Sequence, residues 1–291
     1  MGKYLTALLI AASLPIAGCS EQTPAEIIAE INRMGSMTDA QAKILRKGER
    51  INLPGLTSIT DAQAEHLSKV QHVSLDGLAS ITDVQATSLG NIDNLSLNGL
   101  TSISDHQAES LGNTSFTLSL NGLSSITDQQ AASLGKAENL LLSSLTALTD
   151  AQAENLSNNK QTNTLGLGGL TSINDKQAES LSKAGTLALH GLTTLTDKQA
   201  ETLSKAQLLF LSGLTSITDQ QAESLSKLHL LGLDGLTSIT DPQADSLSKL
   251  PCLSLISLAS ITERQAESLS KVEELFVSSS IQSRIDRYKN R

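Results

Sequence analysis

The chain has 291 residues, and 21 Lys and Arg against 30 Asp and Glu give it a formal net charge of −9. This charge, with no basic block in the sequence, argues against nucleic-acid binding through phosphate neutralisation. Three Phe, two Tyr and no Trp leave little for base or sugar stacking, so a core must be packed from aliphatic side chains. Two cysteines cannot form a disulfide framework.

The first predicted element is a targeting segment at residues 1–18. Lys3 is followed by 14 mostly apolar residues, Tyr4 to Ala17, which are too few to span a bilayer but suit the apolar region of a secretory signal. The segment ends in Ile16-Ala17-Gly18-Cys19, which resembles the lipobox of bacterial lipoproteins. The resemblance implies cleavage before Cys19, a diacylglycerol thioether on its sulfur and a palmitate-type acyl chain on its new amino group. Several acyl chains give a stable membrane anchor where one binds only marginally.

The resemblance also implies a location in the cell. Ser20, and not Asp, follows the cysteine, which is similar to lipoproteins sorted to the outer membrane of Gram-negative bacteria. We therefore expect a lipid-anchored protein of the cell envelope, on the periplasmic or the surface face. Two alternatives stay open. Met1 to Thr6 fits the short myristoylation pattern, and an ordinary signal peptide would leave Cys19 as a free thiol.

Residues 19–36 are predicted to hold the lipidated Cys19, a short linker and an N-terminal capping helix. Thr23-Pro24-Ala25-Glu26 is a capping box with Pro at the first helical position. Gly35 is a stop signal for this helix. The apolar face of the helix, which we expect to cover the first repeat, consists of Ile27, Ile28, Ile31 and Met34.

Residues 37–278 are predicted to be one array of repeats. The dipeptide Gln-Ala recurs mostly every 22 residues, and a Leu stands four residues after each Gln. A fixed period of this size indicates a solenoid. One copy is longer and inserts a polar loop at residues 158–163. The dipeptides begin at Gln41, Gln63, Gln85, Gln107, Gln130, Gln152, Gln177, Gln199, Gln221, Gln243 and Gln265.

Each repeat predicts a short strand, a turn and a short helix. In the copy from Val73 to Leu89, the alternation of Val73 and Leu75 predicts a half-buried strand, and Gly77 ends it. Thr82 and Gln85 form a capping box that predicts the start of a helix. Acidic residues early in these helices and Lys after them suit the helix dipole. Carboxylates on neighbouring helices, ~8–10 Å apart, are too far apart to share a calcium ion.

The repeat resembles a leucine-rich repeat, and its closest likeness is the cysteine-containing subtype. Leu231-Gly-Leu233-Asp-Gly-Leu236-Thr-Ser-Ile239-Thr240-Asp241 carries the likeness, with Leu236 and its equivalents in place of the subtype's Cys. The resemblance implies an α/β solenoid of about ten to eleven repeats of 22 residues, with a parallel β-sheet on one face and short helices on the other. Since Leu replaces Cys, we expect no polar ladder at that position to satisfy the turn amides. The sequence does not set the curvature.

Residues 279–291 are predicted to form a C-terminal cap or a basic tail. Ile281, Ile285 and Tyr288 recur at helical spacing. The segment also contains the basic residues Arg284, Arg287, Lys289 and Arg291. Asp286 stands among them, which is more typical of a solvated cap than of a lipid-binding tail.

The outward positions of the strands predict a binding surface. Early repeats carry polar residues there, such as His72, Ser74 and Asp76, whereas later repeats carry large apolar ones. An apolar patch on one face indicates a docking site, although the C-terminal segment could cover it, or scattered exposed apolar residues could carry no meaning. The predicted partner-binding residues are Leu208, Phe210, Leu230, Ile256 and Phe276.

These patterns favour a non-enzymatic, membrane-anchored scaffold that binds a protein or peptide partner through its strand face. The alternative is a surface-displayed adhesin or host-interaction factor, and an enzyme is the least favoured class. The sequence has no nucleophile–base pair, no metal-ligand spacing and no phosphate loop, so we expect no catalytic residue, cofactor or metal. Cys252 lies at an outward strand position, and a lone thiol there is usually inert. No nucleic-acid partner is expected, and the sequence does not set the oligomeric state.

Overall fold

The computed structural model describes residues 22–157 and 163–289. Cys19 and the predicted targeting segment lie outside the described residues, and so do residues 158–162 of the predicted insertion. Within the described ranges, no helix combines the length and the apolar character needed to cross a membrane.

Eleven short strands form one parallel sheet in which every strand lies beside its neighbour in sequence. Each strand has three residues, and its middle residue points into the core. The strands are β1 (Arg50–Asn52), β2 (His72–Ser74), β3 (Asn94–Ser96), β4 (Thr117–Ser119), β5 (Asn139–Leu141), β6 (Thr164–Gly166), β7 (Thr186–Ala188), β8 (Leu208–Phe210), β9 (Leu230–Gly232), β10 (Cys252–Ser254) and β11 (Glu274–Phe276). The predicted fold class, a leucine-rich-repeat solenoid, is confirmed.

Short helices alternate with the strands and form the other face. The helices are α1 (Pro24–Met34), α2 (Asp39–Leu45), α3 (Asp61–Leu67), α4 (Asp83–Leu89), α5 (Asp105–Leu111), α6 (Asp128–Leu134), α7 (Asp150–Ser157), α8 (Asp175–Leu181), α9 (Asp197–Leu203), α10 (Asp219–Leu225), α11 (Asp241–Leu247), α12 (Glu263–Leu269) and α13 (Ser279–Lys289). The predicted capping boxes are present, including the one at Asn174 and Gln177. Pro242 lies in the first turn of α11, as expected.

The core is a column of aliphatic side chains between the two faces. In the repeat around β5, Leu140, Leu142, Leu145 and Leu156 have no exposed surface, and equivalent leucines continue it along the array. Each repeat buries these side chains against the repeats on either side, so the repeats stabilise one another. Leu275 in β11, where the sheet ends, is half-buried, unlike the middle residues of the other strands.

The turn after most strands requires a glycine because consecutive turns nearly touch. A Cβ atom on Gly122 would lie 2.3 Å from the carbonyl oxygen of Asn98 and 2.5 Å from that of Leu100. Such distances are too short for any side chain, so the close stacking of the backbone explains the recurrent glycine.

Helices cover both ends of the core. At the N-terminal end, Asn32 of α1 donates through Nδ2 to the carbonyl oxygen of Asn52 (3.2 Å) and accepts from the N–H of Gly55 through Oδ1 (3.0 Å). At the C-terminal end, α13 packs against α12 and buries Ile281 and Ile285. The described part of the C-terminal segment therefore lies against the helices and the core, and it does not cover the strand face.

Candidate functional site

The edge of the solenoid where the helices begin, here called the cap edge, is held by one glutamine per repeat. Gln130 accepts from the N–H of Thr127 through Oε1 (3.0 Å) and donates through Nε2 to the carbonyl oxygen of Ile103 in the preceding repeat (2.9 Å). The same link to the preceding repeat is present ten times, from Gln63 to Gln265. The recurrent glutamine is therefore a structural residue that ties neighbouring repeats together.

The aspartate that begins most helices also links repeats. Asp128 Oδ1 accepts from the hydroxyl of Thr149 in the following repeat (3.1 Å), and the pattern recurs along the cap edge. Asp175 instead lies 2.7 Å from the amine of Lys198, and this contact raises the pKa of the lysine. In the part of the chain that the structure describes, no three His, Cys, Asp or Glu residues are grouped to hold a metal ion.

The strand face has a further column of residues beside the strands. We call the second residue after each strand its turn position. The turn positions are Pro54, Asp76, Asn98, Asn121, Ser143, Gly168, His190, Ser212, Asp234, Ile256 and Ser278.

The first turn positions form a hydrogen-bonded ladder that begins at Asp76. Its Oδ1 accepts from the Ser96 hydroxyl (2.6 Å) and from the N–H of Asn98 (2.9 Å), and its Oδ2 accepts from the Ser74 hydroxyl (3.0 Å). Partial burial by itself would raise the pKa of Asp76, but the hydrogen bonds that its oxygens accept outweigh burial and lower that pKa below its ordinary value.

The ladder continues through two asparagines. Asn98 Oδ1 accepts from the N–H of Asn121 (2.9 Å) and from the Ser119 hydroxyl (2.8 Å). Asn121 Oδ1 accepts in turn from the N–H of Ser143 (2.8 Å). The sequence identified these residues as outward and polar but missed that they bind one another. The signal was present as a serine two residues before each Asx.

A cavity of about 430 Å³ lies over this polar half of the strand face. Its lining includes Ser74, Asp76, Ser96 and Ser119, whose side chains are members of the ladder. The polar half has therefore already used much of its hydrogen-bonding capacity within the protein.

The ladder stops after Ser143. The backbone N–H groups at the next four turn positions, Gly168, His190, Ser212 and Asp234, have no acceptor among the described residues. The ladder resumes at Asp234, whose Oδ1 accepts from the Ser254 hydroxyl (2.5 Å) and from the N–H of Ile256 (3.3 Å). One stretch of the strand face thus has backbone donors without the side-chain acceptors found elsewhere.

Three of the predicted binding residues lie together in this stretch. Leu208 and Leu230 are paired across β8 and β9, and Phe210 is paired with Gly232. The Phe210 ring lies over Gly232, since a Cβ atom there would be 2.7 Å from Phe210 Cδ1. The His190 ring centre is 6.1 Å from that of Phe210. We call Leu208, Phe210 and Leu230 the apolar strip; all three are half-buried.

The other two predicted binding residues lie further along the face. Ile256 is 56% exposed and Phe276 is 54% exposed, but Gly232 and Ser254 separate Phe276 from Phe210 at the third strand position. The structure therefore does not bring all five residues into one patch. The sequence also missed Leu141, which lies over Gly166 as Phe210 lies over Gly232.

Cys252 differs from the expectation for an outward strand position. It is only 7% exposed, and burial, followed by the nearby Glu274 carboxylate, raises the pKa of its thiol. A thiol in this setting is mostly protonated and is a poor nucleophile.

No protein-family model matches the sequence, and no curated protein is similar to it. Solved structures do share the fold. A Listeria monocytogenes internalin is 20% identical, with a TM-score of 0.55, over 90% of this chain and 78% of the internalin chain. A chain of the Drosophila Toll–Spätzle complex is 13% identical, with a TM-score of 0.56, over 86% of this chain and 44% of that chain. At these identities the likeness shows the leucine-rich-repeat fold alone.

Proposed function

We propose that this protein is a lipid-anchored scaffold of the cell envelope that binds a protein or peptide partner through the strand face of β6 to β9. The observation that carries the proposal is that two features occur on the same part of the strand face. The stretch in which the polar ladder is missing is also the stretch that carries Leu208, Phe210 and Leu230. A surface with apolar contacts and unused donors is typical of an interface.

The polar half of the face supports this choice by contrast. There, serine and Asx side chains bind each other and the next turn, so a partner would have to displace bonds that are already made. In the half with the apolar strip, the described side chains make fewer such bonds, among them the one between His190 and Ser212, so a partner has less to displace. The chain of similar fold from the Toll–Spätzle complex is part of an assembly of two proteins, and a protein partner is in keeping with that observation.

The anchor is the second part of the proposal. We expect acylation of Cys19 and attachment to the outer membrane of a Gram-negative cell. Radiolabelled palmitate should enter the wild-type protein and not the Cys19→Ala variant, and incorporation that survives this substitution would contradict the anchor. The adhesin alternative requires display on the outer surface. Protease digestion of intact cells separates the two, because only a surface-displayed chain is cleaved.

The docking surface is tested by a charge placed in the apolar strip. Phe210→Asp should abolish partner crosslinking in the native envelope, because a desolvated carboxylate opposes an apolar contact. Val84→Asp is the matched control, since Val84 is an exposed apolar residue on helix α4, far from the strand face. A folded Phe210→Asp variant that still crosslinks every partner of the wild type would refute the docking surface.

The proposed function is non-enzymatic. The charged side chains of the described cap edge are engaged in bonds between repeats, and those at the turn positions Asp76 and Asp234 are engaged in the ladder. The polar groups of the proposed surface include four backbone N–H groups without an acceptor among the described residues, which suit recognition of a partner.

A further inference from the structure

Backbone donors form a row beside the apolar strip. The N–H groups of Gly168, His190, Ser212 and Asp234 lie two residues after four consecutive strands, β6 to β9, and have no acceptor among the described residues. Neighbouring strands in a sheet are about 4.8 Å apart, so the row is about 14 Å long. We call these four groups the donor row.

The protein itself shows which chemical group satisfies such a donor. At three earlier turn positions the same N–H donates to a carboxylate or amide oxygen. Asn98 donates to Asp76 Oδ1 (2.9 Å), Asn121 to Asn98 Oδ1 (2.9 Å) and Ser143 to Asn121 Oδ1 (2.8 Å). The donor row therefore offers positions for the same kind of oxygen, which Ser143, Gly168, His190 and Ser212 do not supply.

The surroundings of the donor row indicate which partner brings these oxygens. The apolar strip lies on the neighbouring strand positions, and Gly168, Ala188 and Ser212 beside it are small and uncharged. The carboxylate of Asp234, at the end of the row, is engaged with the Ser254 hydroxyl. A ligand for this surface needs oxygen acceptors and apolar groups in alternation and no large charge. An extended peptide has this character, with carbonyl oxygens along its main chain and side chains that alternate between two sides.

We infer that the partner of this face is an extended peptide segment that completes the interrupted ladder. This inference rests on the proposed function. Asn and Asp side chains of the segment, together with some of its main-chain carbonyl oxygens, accept from the donor row, while its apolar side chains pack on the apolar strip. Main-chain carbonyls alone do not match the row one to one, because those on one side of an extended chain repeat every ~6.6 Å and the donors are ~4.8 Å apart. At ~3.3 Å per residue, about five residues span the row.

The first test fills the row from within the protein. In a His190→Asn and Ser212→Asn double variant, the new amide oxygens face the N–H groups of Ser212 and Asp234, as Asn98 Oδ1 faces that of Asn121. The probes are short random peptides displayed on phage and selected against the full chain, with binding that depends on Phe210. We expect their affinity to fall about tenfold or more in the double variant, without loss of thermal stability.

Ser278→Asn is the matched control. It makes the same exchange at the turn position of β11, where no further strand follows, and it should leave peptide affinity unchanged. The three side chains of the apolar strip are present in both variants, but the double variant also removes the His190 ring beside Phe210 and its bond to the Ser212 hydroxyl. The single Ser212→Asn variant keeps the His190 ring, so a loss of affinity that it shares with the double variant reports on the donor row.

The second test observes the donor row directly. Amide hydrogen exchange of Gly168, His190, Ser212 and Asp234 in the full chain should slow when a selected peptide binds. Unchanged exchange, together with wild-type affinity of the double variant, would overturn the ladder-completing peptide while leaving a Phe210-dependent interface in place. A selection that enriches no peptide dependent on Phe210 would instead contradict the proposed function.

Discussion

The cap edge and the strand face are built from the same repeats, yet only the cap edge is uniform. At the cap edge, a glutamine makes the same bond to the preceding repeat ten times. On the strand face, the outward residues change from serine and Asx to Leu, Phe and Gly. The uniform edge therefore holds the array together, whereas the outward residues of β6 to β9 vary without affecting that edge and are the ones we propose to recognise a partner.

The largest expected effect is at the cap edge. Gln130→Ala removes the bonds to the Thr127 N–H and to the Ile103 carbonyl oxygen and leaves both groups without their partner. We expect the free energy of unfolding to fall by about 2–4 kcal/mol. Chemical denaturation followed by circular dichroism measures this change.

Gln129→Ala is the control for this prediction. Gln129 is the neighbouring glutamine and is exposed, so its loss should change the free energy of unfolding by no more than about 0.5 kcal/mol. Equal effects of the two substitutions would remove the distinction between the cap edge and the rest of the helix surface.

A smaller loss is expected in the polar ladder of the strand face. Asn98→Ala removes the acceptor for the Asn121 N–H and the Ser119 hydroxyl, which solvent can partly replace. We expect a loss of about 1–2 kcal/mol in the same denaturation experiment. Asn94→Ala, at an outward position of β3 outside the ladder, should have little effect, and a similar loss in both variants would show that the ladder contributes nothing specific.

The ladder also predicts a pH dependence. The pKa of Asp76 is lower in the folded protein than in the unfolded chain, so its contribution to stability is present above the unfolded pKa, roughly pH 4. That contribution is lost as the pH falls through the folded pKa. Asp76→Asn places at this position the same residue type as Asn98, the next member of the ladder, and has no carboxylate to protonate. The variant should therefore lose less stability than the wild type on acidification from neutral pH. Parallel acid curves for the two proteins would contradict this assignment.

The smallest effect on stability is expected in the apolar strip. Serine occupies the position of Phe210 in β2, β3, β4 and β10, and Phe210 is only half-buried. Phe210→Ser should change the free energy of unfolding by less than about 1 kcal/mol, as measured by denaturation. A loss as large as that of Gln130→Ala would mean that Phe210 is a core residue.

The repeat period and the capping boxes could be predicted because both are local signals. Thr82 and Gln85 are three residues apart, and that spacing alone fixes their reciprocal bonds. The bond from Gln85 to the Ile59 carbonyl oxygen depends on how closely two repeats stack, which the sequence pattern does not state. The sequence therefore predicted the capping role of the glutamine but not its bond to the preceding repeat.

The binding surface was predicted only in part for a related reason. Alternation along a strand shows that Phe210 points outward, but its position over Gly232 depends on the register between strands. Cys252 is buried although its position is outward, and it lies between Leu230 and Glu274 of the neighbouring strands, which alternation along its own strand does not show. The donor row could not be predicted, because its N–H groups stand out only once the structure shows that an Asx side chain of the preceding repeat accepts from the equivalent N–H groups elsewhere.

The most direct test compares Gln221→Ala with Phe210→Ser in the full chain and measures both the free energy of unfolding and the affinity for peptides selected only for binding to the wild-type chain. Gln221 makes the cap-edge bond to the Leu195 carbonyl oxygen, and it lies in α10, the helix of the same repeat as Phe210. We predict that Gln221→Ala loses stability and, while folded, keeps its affinity, whereas Phe210→Ser keeps its stability and loses its affinity. If both variants lost stability and affinity together, the proposed division between a cap edge that holds the repeats together and a strand face that binds the partner would be wrong.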